Sequence, residues 1–348
     1  MATIQEIKEL ALNAARGTAP ENYSVENVND ALRDELNAMC SSINEFRRNQ
    51  YDIFAIIIEA ADEIVPKKVI DYLGIFAEVK TVGNGQKAMF KRKLGKNRAK
   101  KFLTQVGLSG VYETFRLDTE TFTVEAHAVG GAGTIDFDRM LDGSENMADI
   151  MDIITEGLTD SVFYEVQKAL VAAYNAAGVP AANRKTGSTF VAKDMQALVN
   201  IVRSYGTSAV IFACPEFIAA MGPDQIVPGG DGYLGIYSPK DIEDIANTGY
   251  IKMFRGTPVV EMPQSFIDEN NDKTAMNPQY AFVLPTGGEK VVKVVLEGPT
   301  QMWMRDNRDQ SMEINAYKKM GAAILTYHNW GIYYNSAITD TSASLYGF

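Results

Sequence analysis

Few side chains in this sequence stand at the spacings that chemistry requires. Gly230-Asp231-Gly232-Tyr233-Leu234-Gly235 matches the letters of a dinucleotide-binding loop, in which glycines let the backbone approach a pyrophosphate at a helix N-terminus. Val227-Pro228 stands where the preceding strand should end, and Pro239 where the helix should run, so the stretch reads as a loop. There is no Walker lysine motif. Asp268, Asn270 and Asp272 have the spacing that opens a calcium loop, but Lys273 takes the glycine position and Gln279 that of the bidentate glutamate. A solvated turn fits these residues better, as it fits Asp306, Asn307 and Asp309. Cys214, between an apolar run and Pro215, reads as a packed thiol rather than a nucleophile. Cys40 and Cys214 cannot make a disulfide framework, and His127 and His328 do not make a histidine-rich metal site. The expectation is a protein that is not an enzyme and needs no cofactor or metal.

Charge is distributed unevenly. The net charge is −11, yet the fifteen residues from Lys87 to Lys101 hold eight bases and no acid. These are Lys87, Lys91, Arg92, Lys93, Lys96, Arg98, Lys100 and Lys101, and the rest of the chain is left with 25 bases against 44 acids. Phe90 and Phe102 flank the cluster, a mixture that a single-strand nucleic-acid groove would use. A solvated hairpin with two anchoring rings, or a basic arm docking on acidic surfaces of sister copies, accounts for the same residues.

The elements that must carry these residues follow from periodicity. Thr3 and Glu6 have capping-box spacing, and Ile4, Ile7, Ala11 and Ala14 share one helix face. Ser24 opens a second helix whose apolar stripe runs Val25, Val28, Leu32, Leu36, Met39, Ile43 and Phe46. So regular a stripe needs a partner surface, either its own helical hairpin or a neighbouring copy. An apolar helical stretch from Tyr51 to Val65 is expected to stop at Pro66. From Ile75 the pattern becomes strand-like, with a turn at Gly83-Asn84-Gly85, the basic stretch, and strands at Val111 to Leu117 and Thr121 to Ala128. This long β-excursion has little apolar alternation of its own. A helix over 145–177, about 50 Å long, follows. It carries apolar residues at every third or fourth position from Met147 to Ala173.

A βα lobe comes next, with a helix over Lys193 to Tyr205, a buried strand Ala209 to Ala213 and a helix opened by Pro215. Further strands are expected at Thr257 to Glu261, Tyr280 to Leu284, Val291 to Leu296, Met302 to Arg305 and Ile324 to Tyr334, and a helix near Asp241 to Ala246. At 348 residues the chain has the length of about two domains. No apolar run approaches the ~18–20 residues of a membrane span. The stretch Met1 to Glu6 is not basic and leads into no apolar segment, so no signal peptide and a reducing compartment are expected.

Taken in order, these segments resemble the major capsid proteins of tailed bacteriophages, the Hong Kong 97-like α+β fold. Thr134-Ile135-Asp136-Phe137-Asp138-Arg139-Met140-Leu141 looks like that family's entry to its spine helix. Ala209 to Phe217 resembles its strand–helix step, and Gly256-Thr257-Pro258-Val259-Val260 its G-x-P-V-V strand. The resemblance implies an N-terminal arm over 1–50, an E-loop β-hairpin over 75–128 and an A-domain over 187–297. It implies a P-domain from 51–74 and 129–186, with return strands over 298–348. It also implies hexamers and pentamers in an icosahedral phage head, assembled in the host cytoplasm, that encloses double-stranded DNA without reading its sequence. Scaffolding, portal and decoration proteins are the implied partners, and no membrane is involved. The eight basic residues would then lie in the E-loop and make contacts between subunits, and the Val25-to-Phe46 stripe would pack on neighbours. An encapsulin-type compartment shares the fold, and a basic-arm nucleic-acid-binding protein remains the other alternative.

Overall fold

A computed structural model describes residues 4–16, 18, 24–93, 119–135, 139, 147–174, 179–205, 207–222, 252–306, 312–325 and 329–345. Helix α1 spans Ile4–Arg16 and α2 Val25–Met39, the latter capped by Ser24, whose side chain accepts the Asn27 N–H at 3.2 Å. The expected stripe does not continue as one helix. Ser42 instead caps α3 (Ile43–Leu73) by accepting the Glu45 N–H at 3.2 Å, so Ile43 and Phe46 belong to α3. Serines compete with the helical backbone and favour caps, which explains the break at Ser41-Ser42.

Nor does Pro66 end a helix; it lies inside α3. A proline costs about 3 kcal/mol in a helix interior. Val65, Val69 and Leu73 around it are fully buried and Ile64 nearly so, and burial of one such side chain is worth about 1.5–3 kcal/mol. Packing therefore outweighs the lost hydrogen bond.

Helix α4 spans Met147–Tyr174, inside the expected 145–177. Its buried Thr155, Thr159 and Ser161 hydroxyls donate to the carbonyls of Met151, Thr155 and Gly157 at 2.7–2.8 Å. The expected cap and stop of this helix lie outside the described residues.

Strands β1 (Ala77–Val82), β2 (Met89–Lys93), β3 (Thr119–Thr123) and β4 (His127–Ile135) come before α4. After it come β5 (Arg184–Gly187), α5 (Ala192–Ser204), β6 (Ala209–Ala213), α6 (Pro215–Met221), β7 (Met253–Phe254) and β8 (Thr257–Glu261). Strands β9 (Tyr280–Pro285), β10 (Val292–Asp306), β11 (Met312–Ile324) and β12 (Gly331–Asn335) complete the described elements. Among the described residues, no helix is long and apolar enough to cross a membrane.

Two main sheets result. One has the order β1-β10-β11-β4, the other β5-β12-β9-β6-β8-β7, and β2-β3 form a separate ribbon. One apolar cluster joins them, with Val65 and Phe76 near α3, Leu158 and Phe163 on α4, Val292 and Met320 from the first sheet, and Phe212 and Phe282 from the second.

Several expected boundaries shift. The Thr121-to-Ala128 strand is divided between β3 and β4, and β4 runs on through Thr134-Ile135 rather than entering a helix there. Val291-to-Leu296 and Met302-to-Arg305 are one strand, β10, so the boundary at 297/298 falls inside it. Ile324-to-Tyr334 is not one strand, because β11 ends at Ile324 and β12 starts at Gly331 in the other sheet. The stretches 94–118 and 223–251, with the expected strand at Val111 to Leu117, the glycine loop and the helix near Asp241, lie outside the described residues.

Candidate functional site

The basic stretch begins at a firmly rooted base. Strands β2 and β3 pair antiparallel from Met89↔Thr123 to Lys93↔Thr119. Phe90 is fully buried, stacks on Phe122 at 5.7 Å between ring centroids, and clusters with Ala88, Val124 and Val295 of the body. The Lys80 ammonium sits 4.4 Å above the Phe90 ring and donates to the Met89 carbonyl at 2.7 Å. The turn before β2 is tied down by Gly85, with φ +77°, whose N–H donates to Glu297 at 2.9 Å. Lys319 donates to both Asn84 and Glu297. That amide and the Lys319 ammonium hold the Glu297 carboxyl below its usual range.

From this base Lys87 and Lys91 project into solvent. Arg92 and Lys93 lie in β2 with their side chains outside the described residues, as are Lys96, Arg98, Lys100 and Lys101 altogether. The base of the excursion is thus anchored on its own body, where little core was expected.

The helical stripe is covered within the chain. Val28, Leu32, Leu36, Met39 and Phe46 are each at most 8% exposed, and all but Val28 join a cluster with Ile7, Ala11, Phe54 and Ile57. This corrects the expectation that the stripe packs on neighbours, because its apolar area is already removed from water by α1 and α3. The side chains of Val25 and Ile43 lie outside the described residues.

A groove of about 670 Å³ opens between β4 and α4. Val129, Leu158 and Ile314 form much of its floor, Gly131 and Gly133 leave its β4 wall low, and Ile153 stands beside it at 69% exposed. Carboxylates run along its α4 side. Arg33 pairs with Asp149 at 3.0 Å. Burial, with the charges of Asp149 and Glu156, pushes Asp152 above the usual carboxylate range, and burial likewise raises Asp160. The sequence missed this groove; the run Gly130-Gly131-Ala132-Gly133 was its one local signal.

Two buried charges were also missed. Lys318, 2% exposed at its side chain, pairs with Asp62 at 2.5 Å, and Asp62 also accepts the Thr300 N–H and hydroxyl. Lys293, 1% exposed, pairs with Glu78 at 2.5 Å. Burial alone would raise the Glu78 carboxyl, but hydrogen bonding and charge from Lys293, with Lys80, hold it below its usual range.

Side chains considered for chemistry are placed without a reactive arrangement. Cys214 is fully buried 3.8 Å from the Met262 sulfur, and burial pushes its thiol up; burial pushes Cys40 up to about 12. Thiols so disfavoured as thiolates are poor nucleophiles. His127 lies 3.4 Å from Glu165, while His328 is outside the described residues. The Asp268 carboxylate accepts the Lys273 N–H at 2.8 Å, closing an exposed turn. Among the described residues, no group of three or more His, Cys, Asp or Glu is placed to hold a metal ion.

A family model described as "SPbeta prophage-derived putative capsid protein YonB" matches residues 6–333. No curated protein matches the sequence. Among solved structures, the chain is similar to one of Microbacterium phage Oxtober96, at 12% identity and TM-score 0.49 over 76% of this chain and 90% of that one. It is similar to the mature capsid of bacteriophage PhiM1 at 12% identity and TM-score 0.47, covering 76% and 86%. A virus-like particle from Pyrococcus furiosus aligns at 11% identity and TM-score 0.42, covering 78% and 98%.

Proposed function

The chain belongs to the YonB family of prophage-derived capsid proteins, and from that membership we propose that it assembles into hexamers and pentamers of an icosahedral head enclosing double-stranded DNA. The observation that carries this reading is the family match over residues 6–333. The order of elements supports a Hong Kong 97-like arrangement: a β-excursion rooted at β2 and β3, the long α4, then a lobe built on β6 to β9. In this reading residues 75–128 supply the E-loop, α4 is the spine helix, and the lobe from 187 is the A-domain. The head is built in the host cytoplasm with scaffolding, portal and decoration proteins.

Function here is interface energetics. A stable protein interface buries on the order of 1,200–2,000 Å², and several partners around each copy turn modest contacts into a durable shell. The basic stretch would orient subunits, because complementary charge governs encounter and register more than affinity. The −11 balance of the chain, with its bases gathered between Lys87 and Lys101, suits a shell that holds DNA without binding it tightly.

Electron microscopy of the purified full-length chain tests the reading. Closed shells are expected, and particles from producing cells should protect double-stranded DNA from nuclease. A chain that stays monomeric at high concentration refutes it, and shells filled with protein cargo but no nucleic acid point to a compartment instead.

A further inference from the structure

We propose that the groove between β4 and α4 receives the basic stretch of a second copy of this chain, laid along β4 as an added strand. The inference rests on the head assembly proposed above and names where one of its contacts is made.

Strand β4 is an edge. It pairs with β11 through nine residues from His127↔Met320 to Ile135↔Met312, and no described strand pairs with its other side. Edge strands are usually protected by lysines, prolines or brevity. The stretch His-Ala-Val-Gly-Gly-Ala-Gly-Thr-Ile has no proline and no lysine, and all of Gly130 to Thr134 is exposed. An extended segment beside it would satisfy the outward N–H and C=O groups and place alternate side chains over the groove. There is room for them, since a Cβ built on Gly131 or Gly133 meets nothing within 4 Å.

Charge selects the occupant. Asp149, Asp152, Glu156 and Asp160 follow one another along α4 at intervals of three or four residues, about 4.5–6 Å of helix rise. Burial and mutual repulsion disfavour ionisation of Asp152 and Asp160, so a partner bearing positive charge relieves a cost already present. The chain gathers its own bases between Lys87 and Lys101, and Lys96, Arg98 and Lys100 alternate there. Extended, the three share one face at about 6.6 Å intervals. They would span about 13 Å against about 16 Å from Asp149 to Asp160. The copy must be a second one because the root of the chain's own stretch is held elsewhere. Phe90 is buried against Val295 of β10, with Lys80 of β1 above it, and both strands lie on the far side of β11 from β4.

Charge exchange in the full-length chain tests this. The arm variant carries Lys96→Glu, Arg98→Glu and Lys100→Glu, and the shoulder variant Asp152→Lys and Glu156→Lys. Assembly is read by sedimentation and electron microscopy, and folding of each variant by circular dichroism. Each variant should lose assembled material by about tenfold, and the variant carrying all five changes should recover to within about twofold of the unmodified chain. A second measurement mixes Ala99→Cys chains with Gly131→Cys chains under oxidation, the native Cys40 and Cys214 being buried. A disulfide joining one chain of each kind is expected. Normal assembly of either charge variant overturns the proposal, as does failure of the five-change variant to recover while folded. A bridge that forms only when both cysteines are on one chain assigns the groove to the chain's own arm and also overturns it. Unmodified chains that form no shells refute the assembly reading itself, whereas normal shells from every variant remove only this contact.

Discussion

Asp62 shows how a sheet can hold a charge in its core. Lys318 lies at an inward position of β11, in the row with Met312, Ile314, Ala316 and Met320. An isolated ammonium there would cost several kcal/mol. Asp62 on α3 removes most of that cost, accepting from Lys318 at 2.5 Å, the Thr300 hydroxyl at 2.6 Å and the Thr300 N–H at 2.9 Å. Asp62→Asn keeps the shape but leaves the ammonium unpaired, and should destabilise the protein by about 3 kcal/mol, read from its urea midpoint. Adding Lys318→Met should recover part of that loss, since removing both partners costs less than breaking the pair. If the double variant is no more stable than Asp62→Asn, the charge is not the source of the loss. Glu78→Gln beside Lys293 should cost less, about 1 kcal/mol, because the Glu78 side chain is 39% exposed and water screens the pair.

The pairing of β4 with β11 depends on one glycine more than on its neighbour. A Cβ on Gly130 would lie 2.1 Å from the Ala316 carbonyl oxygen and 2.5 Å from Cβ of Tyr317, whereas one on Gly131 meets nothing. Gly130→Ala should therefore cost about 2–4 kcal/mol, while Gly131→Ala stays within about 0.5 kcal/mol, as thermal melts of the two variants would show. Equal melting temperatures would mean that β4 sits farther from β11. Such a dependence is invisible in sequence, where both residues are simply glycine. Helices α1, α2, α5 and α6 were legible because their period and caps are local. In β11 the inward Lys318 and outward Tyr317 invert the apolar alternation that marks a strand. Strand β10 read as two because Gly298-Pro299 resembles a turn; it is a bulge, with Gly298 at φ +69° and a register shift between Glu297 and Gln301. The groove was hidden for a different reason, since its walls are some twenty residues apart in sequence and joined only by folding.

For the molecule as a whole, these local charges set a pH dependence with two limbs. Asp152 and Asp160 hold their protons more tightly folded than unfolded, because burial and nearby carboxylates disfavour their charge. The cost of ionising them is therefore present at neutral pH and is relieved as the pH falls through their folded values. The net charge of −11 acts in the same sense, since titrating acids toward the isoelectric point near 4.9 reduces self-repulsion. Glu78 behaves oppositely: its carboxyl is held low, so its contribution is present above its unfolded value and lost as the pH falls through the folded one. Dissociated subunits should therefore melt roughly 2–4 °C higher near pH 5.5 than at pH 7, and fall again on further acidification. Asp152→Asn with Asp160→Asn should flatten the first limb and leave the second. The acidic shoulder offered to a basic partner is discharged over that same first limb, so assembly should weaken where the lone protomer becomes more stable. Scanning melts and sedimentation across one pH series measure both, and a protomer whose stability only declines below pH 7 would remove the basis for that opposition.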